Sequence, residues 1–218
     1  FYWAGACVRD RFLLVGTDDG EVGYTSQNGS VLSIEPGSGR LIDCLSGLDA
    51  DVRCSICYDK TTDRYYFTSK GGYFYSVAVN KAADGTITLD KAGFKARYLD
   101  NGGNDRSKPP MSTCTPVVYN GRAYIGVSGV SQFGAYSGHN ITVIDLSSNT
   151  IAYTVPTQGY PQTSGLLTTA HSDGGYAYVY FFDNFTPGKL RVLKDRPVQR
   201  APLTDNTVTE TYLSEGKD

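Results

Sequence analysis

Short apolar segments alternate with turns rich in Gly, Asn and Asp along most of the chain, and the clearest example runs from Thr115 to Val155. It begins with TPVVYNGRAYIGVSG, passes through a loop, and ends with HNITVIDLSSNTIAYTV. Runs of about four to eight residues rich in Val, Ile, Tyr, Phe and Thr are typical of β-strands when turn residues bound them. The stretch therefore predicts four strands joined by turns.

Looser copies of this four-strand unit occur on both sides of it. The second strands of the copies align on four positions, at spacings of 53, 58 and 54 residues: Phe12, Tyr65, Ala123 and Ala177. An arginine precedes three of these positions, namely Arg11, Arg64 and Arg122. No segment shows apolar residues at helical spacing over about ten or more residues, so the sequence predicts essentially no α-helix.

Four-strand repeats with a period near 50 residues are typical of β-propellers, in which each repeat forms one blade. A continuous β-sandwich is the alternative, but it explains only the short strands and not an ordered four-strand pattern that occurs four times. We therefore predict an all-β fold, a β-propeller of four-stranded antiparallel blades. About four blades are expected, as a single propeller segment over residues 1–218 that forms part of a ring. The approximate blades are 1–52, 53–111, 112–162 and 163–218.

Two segments, VVYNGRAYIGVSG and SVLSIEPGSGRLID, resemble the repeats of pyrroloquinoline-quinone-type propellers, the quinoprotein dehydrogenase-like family. The resemblance covers nearly the whole chain and concerns the repeat architecture. A weaker similarity to propeller segments of secreted or surface proteins of Gram-positive anaerobes implies a bacterial protein with an extracellular or cell-surface location. The chain opens on Phe1 and Tyr2 without an initiator Met, so we expect a trimmed or processed chain.

The same family resemblance implies a quinone held by a Trp beneath its ring, a disulfide between neighbouring cysteines above it, and a bound Ca²⁺. In this sequence the only Trp is Trp3, and no two cysteines are adjacent. The residues that carry the family's chemistry are therefore not matched. We predict no cofactor, no metal ligands and no catalytic residues.

Other candidate chemical groups are few. Cys54 and Cys57 form a C-x-x-C motif, which could belong to a zinc or redox site. Residues three apart on a strand point to opposite faces, and no second such motif completes a tetrahedral site, so we predict core packing. His171 precedes Ser172 and Asp173, but consecutive turn residues cannot form a catalytic triad.

The chain carries a formal net charge of −2, with a pI near 5.7. This balance provides no basic patch for nucleic acid, and no apolar run approaches the roughly 20 residues that span a bilayer. We therefore expect neither a nucleic-acid partner nor a membrane span.

Long loops are the remaining candidates for binding. The insertion from Ser128 to Gly138 carries Gln132, Phe133 and Tyr136, and Tyr160 lies in the approach to the fourth unit. Aromatic and amide side chains on loops are common in sites for sugars, peptides and proteins. We predict these four as candidate ligand-binding residues. In the alternative, the loop aromatics fold back to cover blade edges.

The sequence as a whole favours a non-enzymatic propeller module for binding or scaffolding, with an unknown protein or carbohydrate ligand. The alternative is a domain of a quinone-dependent or other enzyme whose active site is completed by other sequence. Four blades are few for a closed ring, and each unit is predicted to contain all four of its own strands, so no strand is spare to close it. An open arc would expose apolar blade faces, which monomers rarely tolerate. We therefore expect self-association or pairing with missing blades.

Overall fold

The computed structural model describes residues 4–9, 11–18, 29–84, 86–99, 109–129, 138–170 and 174–209. Every regular element in these ranges is a β-strand, which confirms the all-β prediction. Accordingly, none of the described residues form a helix long and apolar enough to cross a membrane. The elements are 18 strands, of which all but two belong to four-stranded antiparallel sheets.

The four sheets follow one another along the chain, and in each the strands pair in sequence order. The first sheet contains β1 Cys7–Arg9, β2 Phe12–Gly16, β3 Gly29–Ile34 and β4 Leu41–Leu48. The second contains β5 Cys57–Asp59, β6 Arg64–Thr68, β7 Tyr73–Val77 and β10 Lys95–Tyr98. The third contains β11 Val117–Tyr119, β12 Arg122–Val127, β13 Asn140–Asp145 and β14 Thr150–Pro156. The fourth contains β15 Leu166–Thr168, β16 Ala177–Asp183, β17 Lys189–Asp195 and β18 Thr204–Thr209.

A turn between β11 and β12 shows how local sequence sets this pattern. Tyr119 pairs with Arg122, and the two residues between them, Asn120 and Gly121, have φ angles of 47° and 76°. Two consecutive positive φ angles define the type I′ turn, whose twist suits a two-residue hairpin. Asn-Gly is the dipeptide that adopts it most readily.

The two remaining strands form a hairpin that the sequence did not predict. The sequence predicts the segment YFYSVAVN as one strand. In the structure, the strand of the second sheet ends at Val77. The next strand, β8 Val79–Lys81, pairs instead with β9 Ile87–Leu89. Leu89 donates its N–H to Asp43 Oδ2 of β4 at 2.8 Å, and Lys91 Nζ binds Asp43 Oδ1 at 2.8 Å. The hairpin therefore fastens the second sheet to the outer strand of the first.

Most buried apolar side chains lie between consecutive sheets, so the core consists of three layers. The first layer, between the first and second sheets, includes Phe12, Leu14, Val31, Tyr65, Phe67 and Tyr75. The second, between the second and third sheets, includes Tyr66, Phe74, Ala123, Ile125, Val127 and Ile144. The third, between the third and fourth sheets, includes Tyr124, Ile141, Val143, Val179, Phe181 and Leu193. Successive four-stranded sheets packed face to face form a β-propeller, as predicted.

Each sheet has a leading face, towards the preceding sheet, and a trailing face, towards the following one. On β6, Tyr65 belongs to the leading face and Tyr66 to the trailing face, and both are almost fully buried. This two-sided burial explains why the strands lack alternating polar residues. Within the described residues, no buried layer joins the first sheet to the fourth. The four blades thus form an open arc.

The strand pairing corrects the predicted alignment of second strands. Leu14, Tyr66, Tyr124 and Tyr180 are equivalent, because each pairs with the corresponding residue of the first strand: Cys7, Cys57, Val117 and Leu166. Relative to Tyr65 and Ala123, the predicted position is therefore one residue too early at Phe12 and two residues too early at Ala177. The shift at Phe12 arises because Arg11 lies in a turn, whereas Arg64 and Arg122 begin strands. A one-residue shift moves a side chain to the other face of the sheet.

Candidate functional site

The chain enters the second, third and fourth sheets through three equivalent entry segments. Residues 53–55, 113–115 and 162–164 occupy the same offset before the first strand of their sheet. The segments converge, since Ser55 donates its N–H to Thr115 Oγ1 at 2.9 Å. Together they line a cavity of about 340 Å³, which we call the axial cavity.

Hydroxyl groups dominate the lining of the axial cavity. Five of its eight described lining residues are Ser or Thr, so the lining is rich in hydroxyl groups: Ser55, Thr113, Thr115, Thr163 and Ser164. Gln162, Arg53 and Cys54 complete the lining. Hydroxyl and amide groups both donate and accept hydrogen bonds. The cavity can therefore bind neutral polar groups of either type.

Arg53 carries the only charge among the described lining residues, and it belongs to a buried ion network. Its Nε binds Asp18 Oδ2, and its Nη2 lies 3.7 Å from Asp51 Oδ2. Lys70 Nζ donates to the same Asp51 oxygen at 2.6 Å. Both aspartate side chains are 2% exposed, against 17% for Arg53. Among the described residues, the two carboxylates balance the two cations of the network.

The ion network links the first and second blades through residues at equivalent positions of the two sheets. Asp18 lies two residues after β2, and Lys70 lies two residues after β6. Asp51 and Arg53 come from the segment between the first and second sheets. Paired buried charges at this junction fix how the two blades meet.

The cysteines at the cavity are packed in the core. Cys54 Sγ accepts the N–H of Thr68 at 3.1 Å, and Cys114 Sγ contacts Thr163 O at 3.3 Å. Burial raises the pKa of the Cys54 thiol, and it raises the pKa of Cys114 to about 12. A raised thiol pKa leaves little of the nucleophilic thiolate at neutral pH. Neither residue is therefore suited to nucleophilic chemistry.

The C-x-x-C motif behaves as predicted. Cys54 packs in the first layer, whereas Cys57 packs against the second, so the two side chains point to opposite faces of the sheet. Burial raises the pKa of Cys57 to about 11. All five cysteines of the chain are free thiols. The motif is a core feature.

Tyr160 is placed differently from the loop site predicted for it. Its side chain is 7% exposed, and its hydroxyl accepts the N–H of Thr113 at 2.8 Å and lies 2.9 Å from Thr113 Oγ1. The hydroxyl of Tyr160 thus orients Thr113, which lines the cavity. Gln132, Phe133 and Tyr136 lie outside the described residues, as does His171, so the proposed loop site remains a prediction.

The lining does not fit the quinone and Ca²⁺ implied by the family resemblance. A planar quinone needs a flat aromatic surface, and none of the described residues that line the axial cavity is aromatic. Trp3 lies outside the described residues. Among the residues that the structure describes, no three His, Cys, Asp or Glu side chains are grouped to hold a metal ion. We therefore derive no redox step for this site.

Sequence reasoning missed the entry segments, although a signal was present. Each carries small hydroxyl or thiol residues three positions before a first strand, as Cys54, Cys114 and Thr163 show. These positions lie outside regular strands, so strand patterns in the sequence do not reveal them. Comparing equivalent loops between repeats would have grouped them.

No protein-family model matches the chain, and no curated protein matches it in sequence. Solved structures do match. The Dos1 propeller gives a TM-score of 0.57 at 13% identity, covering 92% of this chain and 45% of that one. Quinohemoprotein alcohol dehydrogenase from Comamonas testosteroni gives 0.57 at 12% identity, with coverages of 97% and 35%. A europium-containing methanol dehydrogenase gives 0.58 at 11% identity, with coverages of 95% and 42%.

The chain spans less than half the length of each of these structures. At such low identity the likeness concerns the fold alone. The chain therefore has a β-propeller fold similar to that of quinoprotein dehydrogenases, which confirms the resemblance noted in the sequence.

Proposed function

We propose that this chain is a non-enzymatic propeller module for binding or scaffolding, and that its axial cavity binds a neutral polar group of a protein or carbohydrate partner. The supporting observation is the convergence of three equivalent entry segments, whose hydroxyl groups line one cavity. Binding at the junction of several repeats is a common use of propeller channels.

The electrostatics of the cavity favour a neutral ligand. Among the described residues, Asp18 and Asp51 neutralise the charge of Arg53 and Lys70, and no carboxylate or imidazole lines the cavity. General acid–base catalysis needs a titratable group within hydrogen-bond reach of the reacting atom. The lining offers hydrogen bonds from hydroxyl and amide groups, and burial raises the pKa of its one thiol, Cys54, away from neutral pH.

The alternative is an enzyme domain whose active site is completed by other sequence. It is favoured by the similarity to two dehydrogenase structures, of which the chain spans 35% and 42%. The non-aromatic lining of the cavity argues against it. Alcohol-dependent dye reduction by the purified chain with added quinone and Ca²⁺ would favour this alternative.

We also propose an extracellular or cell-surface bacterial setting, which rests on the sequence similarity alone. Protease treatment of intact cells tests it. The tagged protein is expected to be degraded while a cytoplasmic marker survives, and equal protection of both would overturn the proposal.

Variants of two exposed lining residues test the binding site. Thr163→Val and Ser164→Ala together remove two cavity hydroxyls without adding charge. Immobilised oligosaccharides and immobilised peptides serve as separate probe sets for the wild-type chain. For any retained probe, we expect the double variant to bind about thirtyfold more weakly, because two hydrogen bonds are lost and each costs about 1 kcal/mol.

Thr61→Val with Ser148→Ala is the matched control, since both residues lie in exposed turns away from the cavity. This control variant should bind as the wild type does. Unchanged binding by the cavity variant would overturn the proposed site. Failure of both probe sets to bind the wild type would overturn the proposed function.

A further inference from the structure

A second cavity lies at the junction of the second and third blades, at the opposite end of the first strands from the axial cavity. Its volume is about 240 Å³, and we call it the interblade cavity. Its lining includes Thr62 and Gly121, which lie in the turns that follow β5 and β11, whereas the entry segments precede those strands. Both flanking sheets contain four strands, so the cavity belongs to an internal junction of the arc.

The equivalent junction between the third and fourth blades shows what such a position can hold. Arg122, which begins β12, is 1% exposed, and its Nη2 donates hydrogen bonds to backbone carbonyl oxygens of the fourth blade. The acceptors are Arg196 O at 3.3 Å, Pro197 O, and Gln199 O at 2.7 Å. A turn of the next blade therefore covers this arginine and binds it through main-chain atoms.

Arg64 holds the corresponding place in the second blade, but its hydrogen bonds stay within that blade. Each of the two arginines pairs with the last residue of the first strand of its sheet, so their positions are equivalent. Arg64 Nη2 donates to Ser76 O at 3.0 Å and to Gly93 O at 2.6 Å. Arg64 thus lines the interblade cavity, whereas Arg122 is buried under the turn of the next blade.

The length of one turn accounts for this difference. Residues 196–203 connect the third and fourth strands of the fourth blade, but only residues 146–149 connect those of the third blade. The longer turn reaches Arg122, whereas the shorter turn leaves a space beside Arg64. Three residues of the shorter turn line that space. A turn of another protein can therefore take the position that the longer turn takes at the next junction.

The lining of the interblade cavity combines an apolar surface with positive charge. The stacked rings of Tyr66 and Phe74, with centroids 5.6 Å apart, provide a surface for an apolar side chain. Lys95, at the start of β10, is exposed and adds a second cation to the lining. No carboxylate occurs among the described lining residues, and the neighbouring Asp59 accepts hydrogen bonds from Thr62 in its own turn. The charge of the lining therefore complements an acidic ligand.

We propose that the interblade cavity binds a short acidic turn or loop of a partner protein. The described hydrogen bonds of Arg64 use Nε and Nη2, which leaves the two N–H groups of Nη1 for carbonyl oxygens of the bound segment. A carboxylate of that segment pairs with Lys95, and an apolar side chain packs on Tyr66 and Phe74. This site is separate from the axial cavity and does not depend on the function proposed for it.

Two peptides that differ only in charge test the site. The basic peptide GRPVQRG repeats residues 196–200 between flanking glycines, and the acidic peptide GEPVQEG replaces its two arginines by glutamate. Both keep the main-chain acceptors of the turn and its Pro-Val pair. Fluorescence anisotropy of the labelled peptides with the wild-type chain is expected to show the acidic peptide binding about tenfold more tightly than the basic one.

Substitutions in the lining separate charge from space. Lys95→Glu should weaken binding of the acidic peptide about tenfold and strengthen binding of the basic peptide, because it reverses the charge that each one meets. Ser147→Trp places a bulky side chain at an exposed lining position, and it should weaken the acidic peptide about tenfold without a change of charge. Arg200→Glu is the matched control. It makes the same change of charge at an exposed turn residue outside the lining and should bind both peptides as the wild type does.

Several outcomes would overturn the proposal. Equal affinity of the wild type for the two peptides, or an unchanged preference in K95E, would exclude recognition by charge. Failure of the acidic peptide to bind at about 1 mM would exclude the site. The combined Thr163→Val and Ser164→Ala variant should still bind the acidic peptide, and loss of binding there would place the peptide in the axial cavity instead. Circular dichroism of each variant checks that the β-sheet fold is retained.

Discussion

Lys70 and Asp51 form an ion pair that water scarcely reaches. Their side chains are 4% and 2% exposed, and Lys70 Nζ lies 2.6 Å from Asp51 Oδ2. A buried pair is costly to assemble, but removing one partner is costlier, because the other charge stays in a medium of low dielectric constant. The pair therefore stabilises the junction between the first two blades only when both Lys70 and Asp51 are present.

Lys70→Met is expected to lower the free energy of unfolding by about 3 kcal/mol, because it deprives Asp51 of its closest cation. Urea denaturation measures this change. Lys91→Met is the matched control, since Lys91 is 54% exposed in its pair with Asp43, and it should cost less than about 1 kcal/mol. Equal losses for both variants would contradict a special role for the buried network.

At the level of single residues, the sequence predicted part of the candidate site. Cys54 and Cys57 pack in different layers, as predicted, although Cys54 lies in a bend before β5 and not on the strand that the prediction assumed. Tyr160 could not be placed from sequence, because its hydroxyl meets Thr113, 47 positions earlier in the chain. Contacts between distant loops depend on how blades stack, and residue types in a loop do not encode that.

At the scale of elements, close approach between a strand and the residue just before the next entry segment restricts two positions to glycine. Gly16 and Gly126 occupy equivalent positions on β2 and β12. A Cβ at Gly126 would lie 1.7 Å from the carbonyl oxygen of Pro161, and one at Gly16 would lie 2.5 Å from that of Val52. These oxygens belong to backbone, which cannot move aside without displacing a blade.

Gly126→Ala is therefore expected to destabilise the fold by about 2 kcal/mol, the usual cost of overpacking. Thermal or urea unfolding measures it. Gly37→Ala provides the control, because no atom lies within 4 Å of a Cβ built there. That substitution should be neutral or stabilising by about 0.5 kcal/mol, through the unfolded state. If the two variants unfold alike, the strand and the residue just before the entry segment are not in tight contact.

Element prediction succeeded where the pattern is local and failed where it is not. The Asn-Gly turn at Asn120 follows directly from backbone preferences. The hairpin of β8 and β9 was missed, because Ile87–Leu89 is too short to stand out and gains its stability from Asp43 on another blade. The one-residue shift at Phe12 arose from an arginine that repeats in sequence but not in register.

For the whole molecule, the repeat period predicted the architecture better than any motif did. Four units of similar length, each with its own four strands, are enough to define four sheets. Sequence also led us to expect an open arc, and the structure joins the sheets by three buried layers without a fourth among its described residues. The sequence could not identify which side chains lie on each face of a sheet, since that requires the correct strand register.

The central claim, an open arc of four blades, is tested most directly by distances between equivalent turns. Gly37, Ser148 and Arg200 lie in exposed turns between the third and fourth strands of the first, third and fourth blades. Spin labels can be introduced there in pairs on a non-canonical amino acid, since the five free cysteines would also react with thiol labels. Dilution of the labelled protein with unlabelled protein keeps the measured distances within one copy.

Pulsed electron paramagnetic resonance then ranks the three distances. The open arc predicts that the distance from 37 to 200 is the longest, followed by that from 37 to 148, with that from 148 to 200 the shortest. In a closed four-blade ring the first and fourth blades are neighbours, so the distance from 37 to 200 would be shorter than that from 37 to 148. That order would contradict the account.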